Sequence, residues 1–168
     1  MHLFMIYIGG KHPNSLIELH DIRFLAAENI ESTYEELRNS WWGIPSSLHL
    51  DCWGILKQID GYDIHLKAFP AQTNEKLYFV NLGGYGDSEF TEFHRNFCVV
   101  AQDVMEAKIK AKQQIAHWQS PHTDSLYEVD DILPVQNAIA KQGWYIHLEP
   151  AHNPIPFDFV AKYIPISV

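Results

Sequence analysis

Ile6-Tyr7-Ile8-Gly9-Gly10, with Glu18-Leu19-His20 beginning eight residues after the second glycine, returns later in the chain as Val80-Asn81-Leu82-Gly83-Gly84 with Glu92-Phe93-His94. Leu3, Gly9, Gly10, Glu18, His20 and Ala27 each have an identical residue 74 positions on, at Leu77, Gly83, Gly84, Glu92, His94 and Ala101. A constant offset across this many identities is the signature of an internal duplication, so the fold is read as one unit made twice.

Each unit follows from local pattern. Leu3 to Ile8 is apolar on both alternating faces, as in an inner strand covered from both sides. Gly9-Gly10 is expected to end it, Lys11 to Ser15 to turn, and a second strand to run from about Leu16 to Ala27. Glu18 and His20 share a face of that strand, because side chains repeat every two residues, and Ile22, Phe24 and Ala26 continue the row. Asn29 is a good N-cap for a helix whose inward stripe is Ile30, Tyr34, Leu37 and Trp41, and Gly43 and Pro45 stop it. In the second copy Asp103-Val104-Met105-Glu106 has the capping-box form, with Val104, Ala107, Ala111 and Ile115 as the stripe.

A third strand is expected over about Leu48 to Gln58, with Asp60-Gly61 as a tight hairpin into a fourth, Tyr62 to Lys67. On the fourth, Tyr62, Ile64 and Leu66 take one face and Asp63, His65 and Lys67 the wet one. Gly143-Trp144-Tyr145-Ile146-His147-Leu148 matches Gly61 to Leu66 at an offset of 82, so eight extra residues belong in His117 to Asp124 and in the turn before Gly143. The reading is α+β: a duplicated strand-strand-helix-strand-strand unit with mainly antiparallel sheets and an approximate two-fold. Its parts are a first repeat at 1–67, a linker at 68–76, a second repeat at 77–149 and an extended tail at 150–168, too apolar to float free and expected to pack on the body.

The doubled Gly-Gly…Glu-x-His and Gly-x-x-Ile-His-Leu segments resemble the bacterial domain of unknown function family 1543, in its tandem form. The resemblance spans roughly residues 3–66 and 77–148 and leaves out the tail. It implies an architecture and carries no mechanism.

Composition narrows the partners. With 46% hydrophobic, 13% aromatic and 20% charged residues in 168, the chain can bury roughly 70% of its unfolded surface and needs no disulfide framework. Twenty-one acidic against twelve basic residues, a formal charge of −9, and no basic run argue against nucleic acid and anionic membranes as partners. Cys52 and Cys98 do not correspond between the copies and read as buried free thiols. The apolar start lacks a basic leader and no apolar run approaches a membrane span, so a cytoplasmic protein is expected.

The sharpest chemical candidates are Glu18 with His20 and Glu92 with His94, since a carboxylate and an imidazole on one face form an acid-base pair or two metal ligands. Without a third and fourth ligand in view, the plainer role is structural, and neither metal nor cofactor is expected. His65 and His147, on the wet face of the last strand, are the repeated histidines that could join them. Gly9, Gly10, Gly83 and Gly84 could expose amides as an anion nest, though such glycines more often supply a turn's positive φ. Asp51 and Asp130, with Asp131, correspond approximately and read as strand-start acids. Trp41 reads as core, and Trp42, about 100° further round, as the mark of an interface. No nucleophile elbow, paired-cysteine motif or HExxH is present. The functional expectation is a small binding or protein-interaction module, its partner an unidentified protein or small molecule, with homo-oligomerisation open. The alternative is an enzyme or small-ligand protein with its site between the repeats.

Overall fold

β1 (His2–Gly10) is the inner strand that the sequence calls for, hydrogen-bonded to β2 (Leu19–Ala27) on one side and β3 (His49–Ile55) on the other. The structure, a computed structural model, describes residues 1–85, 90–114 and 131–166, apart from the side chains of Tyr85 and Asp131. Between β2 and β3 come a 3-10 turn (Glu31–Thr33), α1 (Tyr34–Ser40) and a second 3-10 turn (Pro45–Ser47). There follow β4 (Gln58–Ile59), β5 (Tyr62–Lys67), β6 (Lys76–Tyr85), β7 (Glu92–Ala101) and α2 (Val104–Gln114). The chain continues through β8 (Asp131–Pro134), α3 (Val135–Ile139), a 3-10 turn (Ala140–Gln142), β9 (Tyr145–Pro150) and β10 (Phe159–Pro165). Every strand pairing among the described residues is antiparallel, and the fold is α+β.

The chain divides into two compact units, Met1–Pro70 with Ala138–Val168, and Ala71–Asn137. The first holds a sheet of order β10-β3-β1-β2 and a smaller one of order β4-β5-β9. Phe4, Ile6 and Ile8 of β1 meet Ile30, Leu37 and Trp41 of the helical segment in one core. A side chain such as Leu37, fully buried there, contributes about 1.5–3 kcal/mol. Asn29 caps as expected, its Oδ1 accepting from the Ser32 amide at 3.0 Å and the Ser32 hydroxyl at 2.7 Å. Asp60 and Gly61 take φ of 49° and 79°, the paired positive values of a two-residue hairpin whose twist suits β4 and β5.

The second unit carries β7-β6-β8 with α2 against it, its core formed by Tyr78, Val80, Leu82, Val99, Ala101, Ala107 and Ala111. The capping box at Asp103 forms: Asp103 Oδ1 accepts from the Glu106 amide at 2.9 Å, while Glu106 Oε2 reaches back to the Gln102 amide at 2.8 Å.

Several expectations need correction. The second strand starts at Leu19, leaving Leu16 and Ile17 exposed before it, and the third breaks after Ile55 into β4. On α2 the inward row is Ala107 and Ala111, while Val104 in the first turn is 41% exposed; Ile115 lies outside the described residues. The compact units do not break at the repeat boundaries, because β9 completes a sheet with β5. The tail, expected to be extended and packed on the body, needs no such correction: its residues form β10, a fourth strand on β3. Part of the extra length before Gly143 is α3 and its 3-10 turn, and His117 to Asp124 fall outside the described residues. Gly143 has φ 76°, matching Gly61.

Candidate functional site

The glycines that looked like a turn are strand residues. Gly9 and Gly10 pair with His20 and Leu19, and Gly83 and Gly84 with His94 and Phe93. Among the described residues only Gly61 and Gly143 are glycines at positive φ, so no anion nest forms at these four. What Gly9 supplies is space. A Cβ there would stand 2.7 Å from His49 Nε2, 2.8 Å from His20 Cδ2 and 2.9 Å from Asp51 Oδ2. Gly10 makes the same room for Trp41 and Ser47.

Ladder register explains the convergence. Gly9 lies opposite His20 on β2 and opposite His49 on β3, and laterally paired residues share a face, so two imidazoles meet above a residue with no side chain. Glu18, two positions from His20, turns the same way. On β3 the register shifts between Tyr7↔Cys52 and Ile8↔Leu50, which leaves Asp51 as the extra residue of a bulge. Bulges re-aim side chains, and this one brings the Asp51 carboxylate to both rings.

The distances are short and similar. His20 Nε2 is 3.8 Å from Glu18 Oε2 and 3.4 Å from Asp51 Oδ2; His49 Nε2 is 3.5 Å from Glu18 Oε1 and 3.4 Å from Asp51 Oδ2. Glu18, His20 and His49 each offer a metal-ligating atom, all within 4.8 Å of one another. His49 is 1% exposed, whereas Glu18 and His20 are 43% and 34% exposed at the side chain and open the pit to solvent. The His49 ring is pinned: Nδ1 lies 2.9 Å from the Ser47 carbonyl, and the Tyr163 ring centroid lies 4.4 Å from its own. A carbonyl only accepts, so Nδ1 carries a proton, and in that tautomer of the neutral ring the lone pair is at Nε2. On the other side Tyr7 stacks on His20 at 5.1 Å and 6°. Burial first, then Asp51 and Asp21, push the Tyr7 phenol above its ordinary range.

Within this pit His49 Nε2 and Asp51 Oδ2 are both buried and lack a hydrogen-bond partner. They lie 3.4 Å apart and do not bond to each other. Buried polar atoms are nearly always satisfied, and leaving one unmet costs about 1–3 kcal/mol, so two in one pit mark a place prepared for something else.

Sequence reasoning found Glu18 and His20 and missed that His49 completes them. The buried imidazole of the group is His49. Asp51 was named only as a strand-start acid. In the second unit Glu92 and His94 approach to 3.7 Å, and Asp130 lies outside the described residues. His65 and His147 are not partners of His20 but face each other across β5 and β9. There His147 Nε2 meets the Phe69 carbonyl at 2.8 Å, and Glu149 bridges Lys67 at 2.9 Å and His65 at 3.8 Å. Trp42, expected at an interface, is 48% exposed and stacks on Trp41.

An antiparallel α+β domain with an acid-histidine pit on its central strand is the class so defined. Within that class, the sequence model of the family described as Domain of Unknown Function (DUF1543) matches residues 15–66, and the chain belongs to that family. Among solved structures it is similar to the crystal structure of protein Il1583 from Idiomarina loihiensis, at 34% identity and a TM-score of 0.74, over 99% of each chain. No curated protein matches it.

Proposed function

We propose that the chain is a small cytoplasmic binding module whose ligand enters the pit above Gly9, between Glu18, His20, His49 and Asp51. The observation that carries this reading is the pair of buried, unpartnered acceptors, His49 Nε2 and Asp51 Oδ2. The Glu18 carboxylate adds a third acceptor, so the complement has to be an electron-pair acceptor or a hydrogen-bond donor: a metal ion, an ammonium or a guanidinium. Nucleic acid phosphate fits neither this pit nor a chain of net charge −9. Cys52 and Cys98 form no disulfide with each other, which agrees with a reducing compartment. No helix among the described residues is long and apolar enough to cross a membrane.

A thermal-shift panel on tag-free protein tests the reading, with alkylammonium, guanidinium and divalent-metal chlorides offered to wild type and to Glu18→Gln. A true ligand at 100 times its Kd stabilises by about 2.7 kcal/mol, or about 5–11 °C for a chain of this size. The shift should shrink in the variant. If no compound of either class shifts the wild type, or if all shift both proteins equally, the pit is not a binding site.

A second reading, protein interaction, draws on β10. It is an edge strand, and Phe159, Val160 and Tyr163 on it, with Ile155 and Phe157 just before it, are exposed. Such an edge accepts a further strand. Light scattering across a concentration series should then show a dimer, and a monomer at all concentrations would exclude self-association.

A further inference from the structure

The spacing of the pit selects among the ligands that its chemistry allows, on the reading that the pit is a binding site. An ammonium bonded to its acceptors at about 2.8 Å needs them about 4.6 Å apart in a tetrahedral arrangement. An ion bound at about 2.1 Å needs donors only about 3.4 Å apart. The four nitrogen–oxygen separations run from 3.4 to 3.8 Å, and the ligating atoms of Glu18, His20 and His49 all lie within 4.8 Å of one another. The nitrogen–oxygen spacing is nearer that of a metal's donors than that of an ammonium's acceptors.

We infer that the pit is a divalent transition-metal site, with Glu18, His20 Nε2 and His49 Nε2 as ligands and Asp51 Oδ2 in the fourth position. Two imidazoles with carboxylates are a borderline-soft set that suits zinc, iron, cobalt or manganese, whereas magnesium and calcium take oxygen alone. The support around the ligands is also that of a metal site. His49 donates its other ring nitrogen to the Ser47 carbonyl, which fixes the ring and directs the Nε2 lone pair inward, and the Tyr7 ring lies flat against His20. Gly9 keeps the space over the strand clear, and the half-exposed Glu18 and His20 are the way in for the ion.

The competing account is a doubly protonated His49 ion-paired with the two carboxylates. That arrangement would put N–H···O bonds at about 2.7–2.9 Å, yet the approaches are 3.4 and 3.5 Å and His49 Nε2 bonds to nothing. A metal accounts for both orphaned atoms at once and ties β2 to β3 across the central strand.

The test uses full-length protein without a histidine tag, stripped with chelator and titrated with zinc chloride and cobalt chloride by calorimetry and visible absorption. One ion per chain is expected, with intense cobalt d–d bands of low coordination number. Glu18→Gln and His20→Ala, at half-exposed positions, should each weaken binding at least tenfold and alter the cobalt spectrum, and His49→Ala should abolish it. His94→Ala, in the second Glu-x-His pair, should change nothing. Should His49→Ala fail to fold, the two half-exposed variants decide. The assignment is overturned if zinc and cobalt do not bind, or if Glu18→Gln and His20→Ala bind as wild type does. It is also overturned if His94→Ala is the variant that loses the ion. Binding of an alkylammonium at the pit with no metal binding would leave the pit a binding site and remove the metal.

Discussion

Gly9→Ala places one methyl where three side chains meet, and the structure says which of them decides the outcome. The new Cβ would lie 2.8 Å from His20 Cδ2 and 2.7 Å from His49 Nε2. His20 is half-exposed and can swing away, but His49 is 1% exposed, held by the Ser47 carbonyl and covered by Tyr163. Overpacking of this kind costs about 1–3 kcal/mol, and the strand regains part of it because glycine there is worth about 0.5–1 kcal/mol less than alanine. The net loss is about 0.5–2 kcal/mol, which for a chain of this size lowers Tm by about 1–8 °C. Circular-dichroism melts of stripped protein measure this term. Repeating them with saturating zinc measures the second effect, since the methyl occupies the space of the ion and the zinc-dependent rise should vanish. A Gly9→Ala protein that melts at or above wild type and keeps its zinc shift would refute both the packing argument and the location of the site.

Two further outcomes follow from local geometry. Asn29→Ala removes the side-chain acceptor for two Ser32 donors and should cost about 1 kcal/mol, a fall of about 2–4 °C in a thermal melt, with no change in zinc titration. Burial first, and the neighbouring Asp51 charge second, push the Cys52 thiol above its ordinary range, so its thiolate forms only at higher pH than a free thiol's. In Cys98→Ala protein, disulfide exchange with a chromogenic reagent near pH 8 should be slower than for glutathione and rise with pH.

What the sequence made legible is what local pattern determines. The Asp60-Gly61 hairpin, β5 and the Asn29 cap each depend on a few adjacent residues, and all three form. The pit depends on lateral neighbours across three strands. Gly9-Gly10 read as punctuation because a glycine pair inside a strand is costly, and the reason for that cost stands on β2 and β3, far along the chain. His49 was hidden because it is not among the identities 74 residues apart that made Glu18 and His20 stand out. Asp51 was reachable only through its bulge, and the transfer of β9 to the first unit only through its register on β5.

That register bears on which Glu-x-His pair has become a site. β5 and β9 pair with His65 opposite His147, Ile64 opposite Leu148 and Leu66 opposite Ile146. The hairpins are equally alike, with Gly9 opposite His20, Gly83 opposite His94, and Glu–His approaches of 3.8 and 3.7 Å. They part company at the flanking position. Tyr7 stacks on His20, whereas its counterpart Asn81 turns its amide to Asn96 at 2.7 Å, so the ring that walls the first imidazole has no equivalent in the second hairpin. An imidazole already stacked in place pays less entropy to ligate than an unstacked one. Among the described residues, Tyr7, His49 and the Asp51 bulge are what the first Glu-x-His pair has beyond the Gly-Gly…Glu-x-His pattern.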